Sequence, residues 1–247
     1  MMERNQTVSA VVLQTRRCGD LHRSITIFSP ELGIVRALAY GARKGKLAGK
    51  IEQFLRGVFY VYENPVRHEF SIVDVQTQSL GEEIRSSLER TFAASFIAET
   101  VLRMEGGARQ DLFDLVVKSF SALERHVDTT IVLIQYAWKF IAVAGLMPSL
   151  TQCPVCDTSY KERETLSYHS ALHVPCCQRC SDLSQSDSPM IMGPGFRRYA
   201  VLTADLDFDD ALKIGLSQAT ASRIKRYMLR YIASIAGGEL KSLAMVL

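Results

Sequence analysis

The sequence predicts an α+β fold, in which a β-domain at residues 1–80 precedes a helical domain at residues 81–247. Three observations support this prediction. Short segments rich in β-branched and aromatic residues follow one another through the first eighty residues, whereas apolar residues recur at helical spacing after Gly81. Five of the six cysteines lie between Cys153 and Cys180, so an insertion at residues 149–182 is expected within the helical domain.

The β-domain is predicted to contain five strands separated by turn-forming Gly, Pro, Asn and Asp residues. Five strands in a unit of this size indicate a small barrel or sandwich. The segments with strand character are Val8–Thr15, His22–Phe28, Ile34–Tyr40, Phe54–Tyr62 and Phe70–Gln78.

Three consecutive helices are predicted between Ile84 and Ile141, and their short links favour a helical bundle. Gly145 and Pro148 should end the last of them, because Gly commonly follows a helix C-terminus and Pro cannot continue one. After the cysteines, a polar stretch at 181–189 is predicted to be a loop. The helical pattern then returns in three places, which are Gly195–Leu202, Ser217–Ile235 before Gly237-Gly238, and a last short helix within Leu240–Leu247.

The cysteine spacing predicts a structural zinc site with the ligands Cys153, Cys156, Cys177 and Cys180. Two C-x2-C pairs can each form a tight turn whose two thiolates reach one tetrahedral ion, and four thiolates leave no open position for a substrate. Asp157 follows the first pair, where a residue that tolerates left-handed backbone is useful.

Other arrangements of these residues are open. Cys176 could pair with Cys180, and His169 or His173 could replace a thiolate. The sulfurs could also be unmetallated core or redox thiols, although no βαβ pattern of a thioredoxin-like protein accompanies them.

The positive charge is concentrated in the β-domain. Residues 1–80 hold 11 Lys and Arg and 7 Asp and Glu, whereas residues 81–247 hold 18 and 19. A localised cationic surface attracts polyanions, and each neutralised phosphate releases counterions. The centre of this charge is the basic loop, Gly41–Lys50. The candidate DNA-binding residues are Arg16, Arg17, Arg23, Arg36, Arg43, Lys44, Lys46, Lys50 and Arg56.

Aromatic residues accompany these cations, and one or two of them are expected to be exposed where a base could stack. The others should fill the β-domain core. The aromatic candidates are Phe28, Tyr40, Phe54, Phe59, Tyr60, Tyr62 and Phe70.

Several function classes find no support in the sequence. The basic loop lacks the G-x-x-x-x-G-K-[ST] pattern of a nucleotide-binding loop, and no metalloprotease, nucleophile-elbow or paired-carboxylate motif is present. The polar N-terminus is unlike a secretory signal, and the longest apolar stretch, near Ile131–Leu146, is interrupted by polar residues. We therefore expect a cytoplasmic protein that is not an enzyme.

These features together resemble the RecO family of bacterial recombination mediators, over most of the chain. The individual motifs are short, but their order and spacing are specific. They are Thr15-Arg16, Gly19-Asp20, Ile25–Phe28, Gly33–Val35, Gly41–Lys44, Leu88–Arg90, Leu112–Asp114, Gly145–Pro148 and Glu239–Leu243.

The resemblance implies an N-terminal OB-fold, a helical bundle and a zinc-ribbon insertion. It also implies binding to single- and double-stranded DNA, annealing of complementary strands, cooperation with RecR, and docking of the C-terminal tail of single-stranded-DNA-binding protein. The expected outcome is loading of RecA on coated strands in the bacterial cytoplasm, in association with the nucleoid.

Docking of such a tail would need a hydrophobic groove with cations at its rim, for which Arg103, Lys139, Arg197 and Arg198 are candidates. The rival interpretations are a zinc-ribbon module that binds RNA or a protein partner, and a thiol oxidoreductase.

Overall fold

A computed structural model describes residues 5–103, 109–181, 190–236 and 238–247. The chain forms two compact units, residues 1–127 and residues 128–247. The predicted boundary at residue 80 falls where the last barrel strand gives way to helices, and the first compact unit continues beyond it.

The first unit is built on a closed five-stranded barrel in the order β1-β2-β3-β5-β4, with β4 pairing back to β1. This order is that of an OB-fold, so the predicted barrel class is confirmed. The strands are β1 Asn5–Cys18, β2 His22–Ser29, β3 Gly33–Ala39, β4 Arg56–Asn64 and β5 Glu69–Ser79.

The long strand β1 pairs with two neighbouring strands. Its first half pairs with β4 from Asn5 to Val11, and its second half pairs with β2 from Val11 to Cys18. An irregularity between Val12 and Gln14 shifts the β1–β2 register at this changeover, as bulges do where barrel strands bend. The barrel core therefore takes Val8, Ala10 and Val12 from β1, all nearly inaccessible to solvent.

One glycine is required by the close approach of β4 and β5. A Cβ atom on Gly57 would lie 2.4 Å from the carbonyl oxygen of Gln76, which no side chain could relieve because the obstacle is backbone.

Three helices complete the first unit, namely α1 Glu82–Arg85, α2 Leu88–Arg103 and α3 Arg109–Glu124. Helix α2 contacts β1 and α3 contacts β2. Phe28 of the barrel meets Phe113 of α3 edge to face, with ring centroids 5.8 Å apart. The helices thus cover apolar barrel residues that would otherwise face solvent.

The second unit contains α4 Thr129–Val143, α5 Pro194–Ala204, α6 Phe208–Ala211, α7 Gln218–Ile235 and α8 Leu243–Val246. Helix α4 packs on α5, α6 and α7 in this unit. The prediction that α2, α3 and α4 form one bundle is therefore wrong. Helix α4 is apolar around most of its circumference, so its burial depends on helices far along the chain.

Helix ends follow the sequence signals. Asp128 caps α4 through hydrogen bonds to the amides of Thr130 and Ile131. Gly145, with a φ of 71°, ends the helix, and the Leu146 amide donates to the carbonyl of Ile141. Residues 182–189 of the predicted polar loop, and Gly237, lie outside the described residues. No helix among the described residues is long and apolar enough to cross a membrane.

Two local predictions need correction. Phe54 is not in a strand: its φ is 69°, and its ring packs edge to face on Phe120 of α3. The cysteine insertion contains a hairpin that the sequence did not indicate, formed by β6 Ser167–His169 and β7 Val174–Cys176. Strands of three residues are too short to show an alternating pattern.

Candidate functional site

The structure brings the four predicted zinc ligands together. The Sγ atoms of Cys153, Cys156, Cys177 and Cys180 all lie within 4.8 Å of one another, and those of Cys156 and Cys177 are 3.7 Å apart. Thiolates bound at about 2.3 Å to one tetrahedral ion are about 3.8 Å from each other. Four sulfurs at this spacing, with no oxygen or nitrogen ligand in the group, can hold a metal ion.

Each cysteine pair is held by a tight turn. In the first, the Asp157 amide donates to the Cys153 carbonyl at 2.9 Å, and Asp157 adopts a φ of 56°, the left-handed conformation expected at this position. In the second, the Cys180 amide donates to the Cys177 carbonyl at 3.0 Å, which closes a 3-10 turn. The two C-x2-C segments therefore use different turns, a five-residue turn with a left-handed residue in the first and a 3-10 turn in the second.

The surroundings of the sulfurs favour a cation. Burial would raise the pKa of Cys153, but hydrogen bonds from the amides of Cys177, Val155 and Cys156 outweigh it and lower that pKa. The side chain and amide of Thr158 lower the pKa of Cys156 to about 6. The neighbouring sulfurs of Cys156 and Cys177 raise the pKa of Cys180 to about 12. Four thiolates this close repel one another unless a metal ion compensates their charge.

The alternative ligands lie elsewhere in the insertion. Cys176 is buried on β7 opposite Ser167, His169 pairs with Val174 across the hairpin, and His173 is 3.3 Å from the Tyr168 hydroxyl. None of the three belongs to the group of ligand atoms found among the described residues.

The basic loop packs against the barrel through apolar residues at and beside it. Ala42, Leu47 and Ile51 are buried in the barrel core, so the chain is anchored at three points. The Gly45 amide donates to the Gly41 carbonyl at 2.6 Å, and a Cβ atom on Gly45 would come within 3.1 Å of that oxygen. The loop cations project between these anchors and are exposed; they are Arg43, Lys44, Lys46 and Lys50.

Two of these loop cations already have partners in the protein. Lys46 Nζ is 2.6 Å from the Asp74 carboxylate, and this contact, with the Val75 amide, lowers the pKa of Asp74. Arg43 donates to the carbonyl of Asp20 in the β1–β2 turn at 3.0 Å and remains exposed. The loop therefore offers Arg43, Lys44 and Lys50 more freely than Lys46.

The predicted cations on the strands fall into two groups. Arg16, Arg17 and Arg36 are exposed, and Arg16 and Arg36 lie on the outer face of the sheet, opposite Ser24 and Thr26 respectively. Arg23 instead forms an ion pair with Glu52 at 2.7 Å, and Arg56 is paired with Glu124 and donates to Ser121 of α3 at 2.6 Å. The structure thus gives Arg23 and Arg56 structural partners.

Exposed aromatic rings are few, as expected. Of the seven candidates, Tyr40 is 58% exposed and Tyr60 is 41% exposed, whereas Phe28, Phe54 and Phe59 are buried. Tyr40 follows β3 at the start of the basic loop and meets His22 edge to face at 5.2 Å. Its position beside the loop cations combines a stacking surface with positive charge.

The proposed rim residues for tail docking are mostly engaged within the second unit. Lys139 donates to the carbonyls of Thr203, Ala204 and Leu206 at the end of α5. Arg197 donates to the carbonyls of Lys161 and Glu162 near the cysteines, whereas Arg198 is exposed. Lys139 and Arg197 therefore hold the helices and the insertion in place.

The fold and the sites define the class of protein: an OB-fold protein with a cationic barrel surface, followed by a helical part with a cluster of four cysteines that can hold a metal ion. Two family models match the chain, Recombination protein O N terminal over residues 2–78 and Recombination protein O C terminal over residues 85–244. The chain belongs to the RecO family.

Relatives at moderate identity support the assignment. The chain is 27% identical to DNA repair protein RecO of Desulfatibacillum aliphaticivorans, over 96% of this chain and 94% of the relative. It is 27% identical to that of Bacillus velezensis, over 94% and 90%. It is 28% identical to that of Caldanaerobacter subterraneus subsp. tengcongensis, over 70% and 72%.

Proposed function

We propose that this chain binds single- and double-stranded DNA and anneals complementary strands as a DNA repair and recombination mediator. The observation that carries the proposal is the exposed Tyr40 beside Arg43, Lys44 and Lys50 on an OB barrel. Cations that follow a phosphate backbone and rings that stack bases are the two elements of sequence-tolerant single-strand binding. Arg16, Arg17 and Arg36 extend the same cationic surface along the strands.

Annealing follows from charge neutralisation. Two complementary strands repel each other through their phosphates, and the repulsion falls when lysine and arginine side chains replace the surrounding counterions. The protein makes and breaks no covalent bond in this process, so we propose that it is not an enzyme. The four-thiol centre is consistent with this role, because four cysteine ligands leave no open coordination position.

The metal centre has a structural role in this proposal. Cys153, Cys156, Cys177 and Cys180 would hold one zinc ion, which supplies folding free energy by cross-linking two turns that are distant in sequence. In the second unit, the ligand turns pack with Cys176 and Tyr160 as a small core of their own.

We further propose three protein partners in the bacterial cytoplasm, where the protein would associate with the nucleoid. RecR would act with this chain, and the helical part would dock the acidic tail of single-stranded-DNA-binding protein. Through these contacts the protein would help to load RecA on coated strands. Membership of the RecO family and the DNA repair role in the relatives' names support these partners.

The decisive experiment measures single-stranded DNA binding by fluorescence anisotropy across a salt series. The variant changes Arg43, Lys44 and Lys50 to Ala and leaves the paired Lys46 in place. Loss of three phosphate contacts should flatten the slope of log K against log salt by about 2, at about 0.7 per phosphate. The matched control removes three exposed cations of the second unit, Lys161, Arg163 and Lys213, and should leave the slope unchanged.

An unaltered slope in the loop variant would place the DNA surface elsewhere on the protein. If the wild-type protein bound no DNA, the mediator proposal would fail. Preferential binding of RNA in direct competition would instead support the zinc-ribbon module that binds RNA.

A further inference from the structure

A pocket of about 420 Å³ opens on the outer face of the barrel, where β1, β4 and β5 lie side by side. The proposed function uses the free cations of the basic loop and the ring of Tyr40, and it leaves this pocket unassigned. The volume is within the range of sites that hold a small ligand or one group of a larger ligand.

The strand register places three polar or aromatic side chains of the pocket in one row. Thr7 on β1 pairs with Tyr60 on β4, and Tyr60 pairs in turn with Asp74 on β5. Residues that pair across antiparallel strands point to the same face of the sheet. Their chain neighbours Phe59 and Val75 point into the barrel core. The row therefore faces outward, and the side chain of Tyr60 is 41% exposed.

A β-bulge adds an apolar edge to the pocket. The register between β4 and β5 shifts after Tyr60, so that Val61 pairs with Ile72 and Val73 has no paired residue on β4. Val73 is 52% exposed and lines the pocket beside Asp74. Bulges of this kind redirect side chains next to binding sites. The pocket thus combines an exposed ring, an exposed aliphatic edge and a carboxylate.

Asp74 provides the charged hydrogen-bond acceptor. Its Oδ1 atom accepts from the Val75 amide at 3.0 Å, and its Oδ2 atom is 2.6 Å from Lys46 Nζ. An ionised carboxylate has about four acceptor positions, so roughly half of them are open to a ligand. Among the described residues that line the pocket, Asp74 is the one acid and Lys46 the one base.

We infer that this pocket binds one base of single-stranded DNA and prefers guanine. The base stacks on Tyr60, and its N1–H and N2–H groups donate to the Asp74 carboxylate. Guanine presents two adjacent N–H donors on its Watson–Crick edge, whereas thymine presents one donor between two acceptors. Asn5 and Thr7 line the same pocket and can donate to the guanine carbonyl.

The basic loop favours a strand as the source of the base. Lys46 lines the pocket, and the neighbouring Arg43 and Lys44 are exposed. A phosphate backbone that follows these cations brings its bases to Tyr60, whereas a free nucleotide gains little from them. The inference therefore rests on the proposed function, in which the barrel binds single-stranded DNA.

The test measures the Kd of fluorescein-labelled strands for the full chain by anisotropy. A thymidine strand is compared with the same strand in which every fifth thymidine is replaced by deoxyguanosine. The guanine-containing strand should bind about fivefold or more tightly, as expected for one additional hydrogen bond to a charged acceptor. Deoxyadenosine at the same positions controls for purine stacking, and deoxyinosine, which lacks the N2 amino group, should lose most of the preference.

The variants separate recognition from general charge. Asp74→Ala should reduce the preference for guanine to that for adenine. It also frees Lys46, but this strengthens the binding of all strands alike, so the ratio of the two Kd values is the readout. Tyr60→Phe keeps the ring and should keep the ratio. The matched control is Tyr40→Ala, which removes an exposed ring outside the pocket and should weaken both strands without changing the ratio.

Equal Kd values for the two strands with the wild-type protein would overturn the inference, while the proposed DNA binding would stand. A guanine preference that survived Asp74→Ala would overturn the assignment to this pocket. Displacement of the strand by guanosine monophosphate at micromolar concentration would make the pocket a nucleotide site and overturn the strand as its occupant. A wild-type protein that bound no strand would overturn the inference and the proposed function together.

Discussion

The basic loop of the barrel and the groove between α7 and residues 190–196 are both rich in cations, yet they differ in shape and in what lies between the charges. On the barrel, Ala42, Leu47 and Ile51 turn inward, and the cations of the basic loop project around an exposed Tyr40. On α7, Arg223 and Arg226 border a concave apolar floor with an exposed Ile191. A projecting cationic surface with a free ring suits a long polyanion, whereas the groove offers no exposed ring to a base because Phe196 and Tyr227 are buried.

Charge alone therefore does not identify a partner. Lys and Arg attract phosphate and carboxylate alike at a distance. The apolar surface between the cations distinguishes the two kinds of ligand. A ligand binds there only if it can cover that surface without leaving its own polar groups unpaired. Variants that change one surface and leave the other intact should separate the two binding functions.

The largest expected effect comes from the metal centre. Metal removal or Cys153→Ser should destabilise the second unit by several kcal/mol, lowering its melting temperature by roughly 10 °C or more. The groove should lose its shape because Leu166 and Met192 are no longer held. Single-stranded DNA binding by the barrel should persist. Differential scanning calorimetry, and anisotropy with labelled single-stranded DNA, measure these outcomes.

Cys18→Ser is the matched control for that experiment, since Cys18 is exposed in the barrel unit and outside the thiol cluster. Its unfolding free energy should change by less than about 0.5 kcal/mol. An unchanged melting temperature after verified metal removal would show that the centre is not structural. Loss of DNA binding after metal removal would show that the barrel surface depends on the cysteine cluster.

A smaller effect should separate structural from ligand-binding arginines within the first unit. Arg56→Ala should lower the free energy of unfolding by about 2 kcal/mol, because it leaves Glu124 and Ser121 of α3 without their charged partner. Arg36→Ala should change stability by less than about 0.5 kcal/mol. Its single-strand salt slope should flatten by about 0.7, whereas that of Arg56→Ala should not. Urea denaturation measures the two stabilities, and anisotropy across a salt series measures the two slopes. A flattened slope in Arg56→Ala would show that Arg56 contacts DNA.

Much of the barrel and of the four-cysteine cluster could be predicted from the sequence because both depend on short-range patterns. Alternation located the five strands to within a few residues, and two C-x2-C pairs located the four sulfurs. Phe54 was wrongly assigned to a strand because it belongs to an apolar run in the sequence. Its conformation depends instead on packing against α3, which lies far along the chain. The same long-range packing explains why α4 joined a different set of helices from those predicted.

The roles of individual Lys and Arg residues were harder to predict from the sequence for the same reason. Arg23, Arg36 and Arg56 all lie in predicted strands, and the sequence does not distinguish them. Only the folded structure places Glu52 beside Arg23 and Glu124 beside Arg56. The α7 arginines were not among the predicted site residues. Their spacing and the absence of acids in α7 were visible, but the apolar floor comes from residues 190–196, which precede that helix by more than twenty positions.

The smallest expected effect tests whether an internal ion pair restrains one cation of the basic loop. Lys46 contacts the Asp74 carboxylate at 2.6 Å and lowers the pKa of Asp74 below 3.8. A carboxyl group whose folded-state pKa is lowered contributes stability above its unfolded pKa and loses it as pH falls through the folded pKa. At neutral pH the pair is intact, so Lys46 is partly neutralised before DNA arrives.

Asp74→Asn should release Lys46 and steepen the single-strand salt slope by up to about 0.7, the value for one phosphate. In the reciprocal variant Lys46→Ala, the pKa of Asp74 should rise toward 3.8. NMR of the Asp74 carboxyl carbon can follow this titration between roughly pH 2 and 6, a range that spans ordinary Asp pKa values. The double variant should show no steepening, because Asp74→Asn then has no lysine to release. If Asp74→Asn steepened the slope equally in the absence of Lys46, general charge would be responsible, and the ion pair would not control access to phosphate.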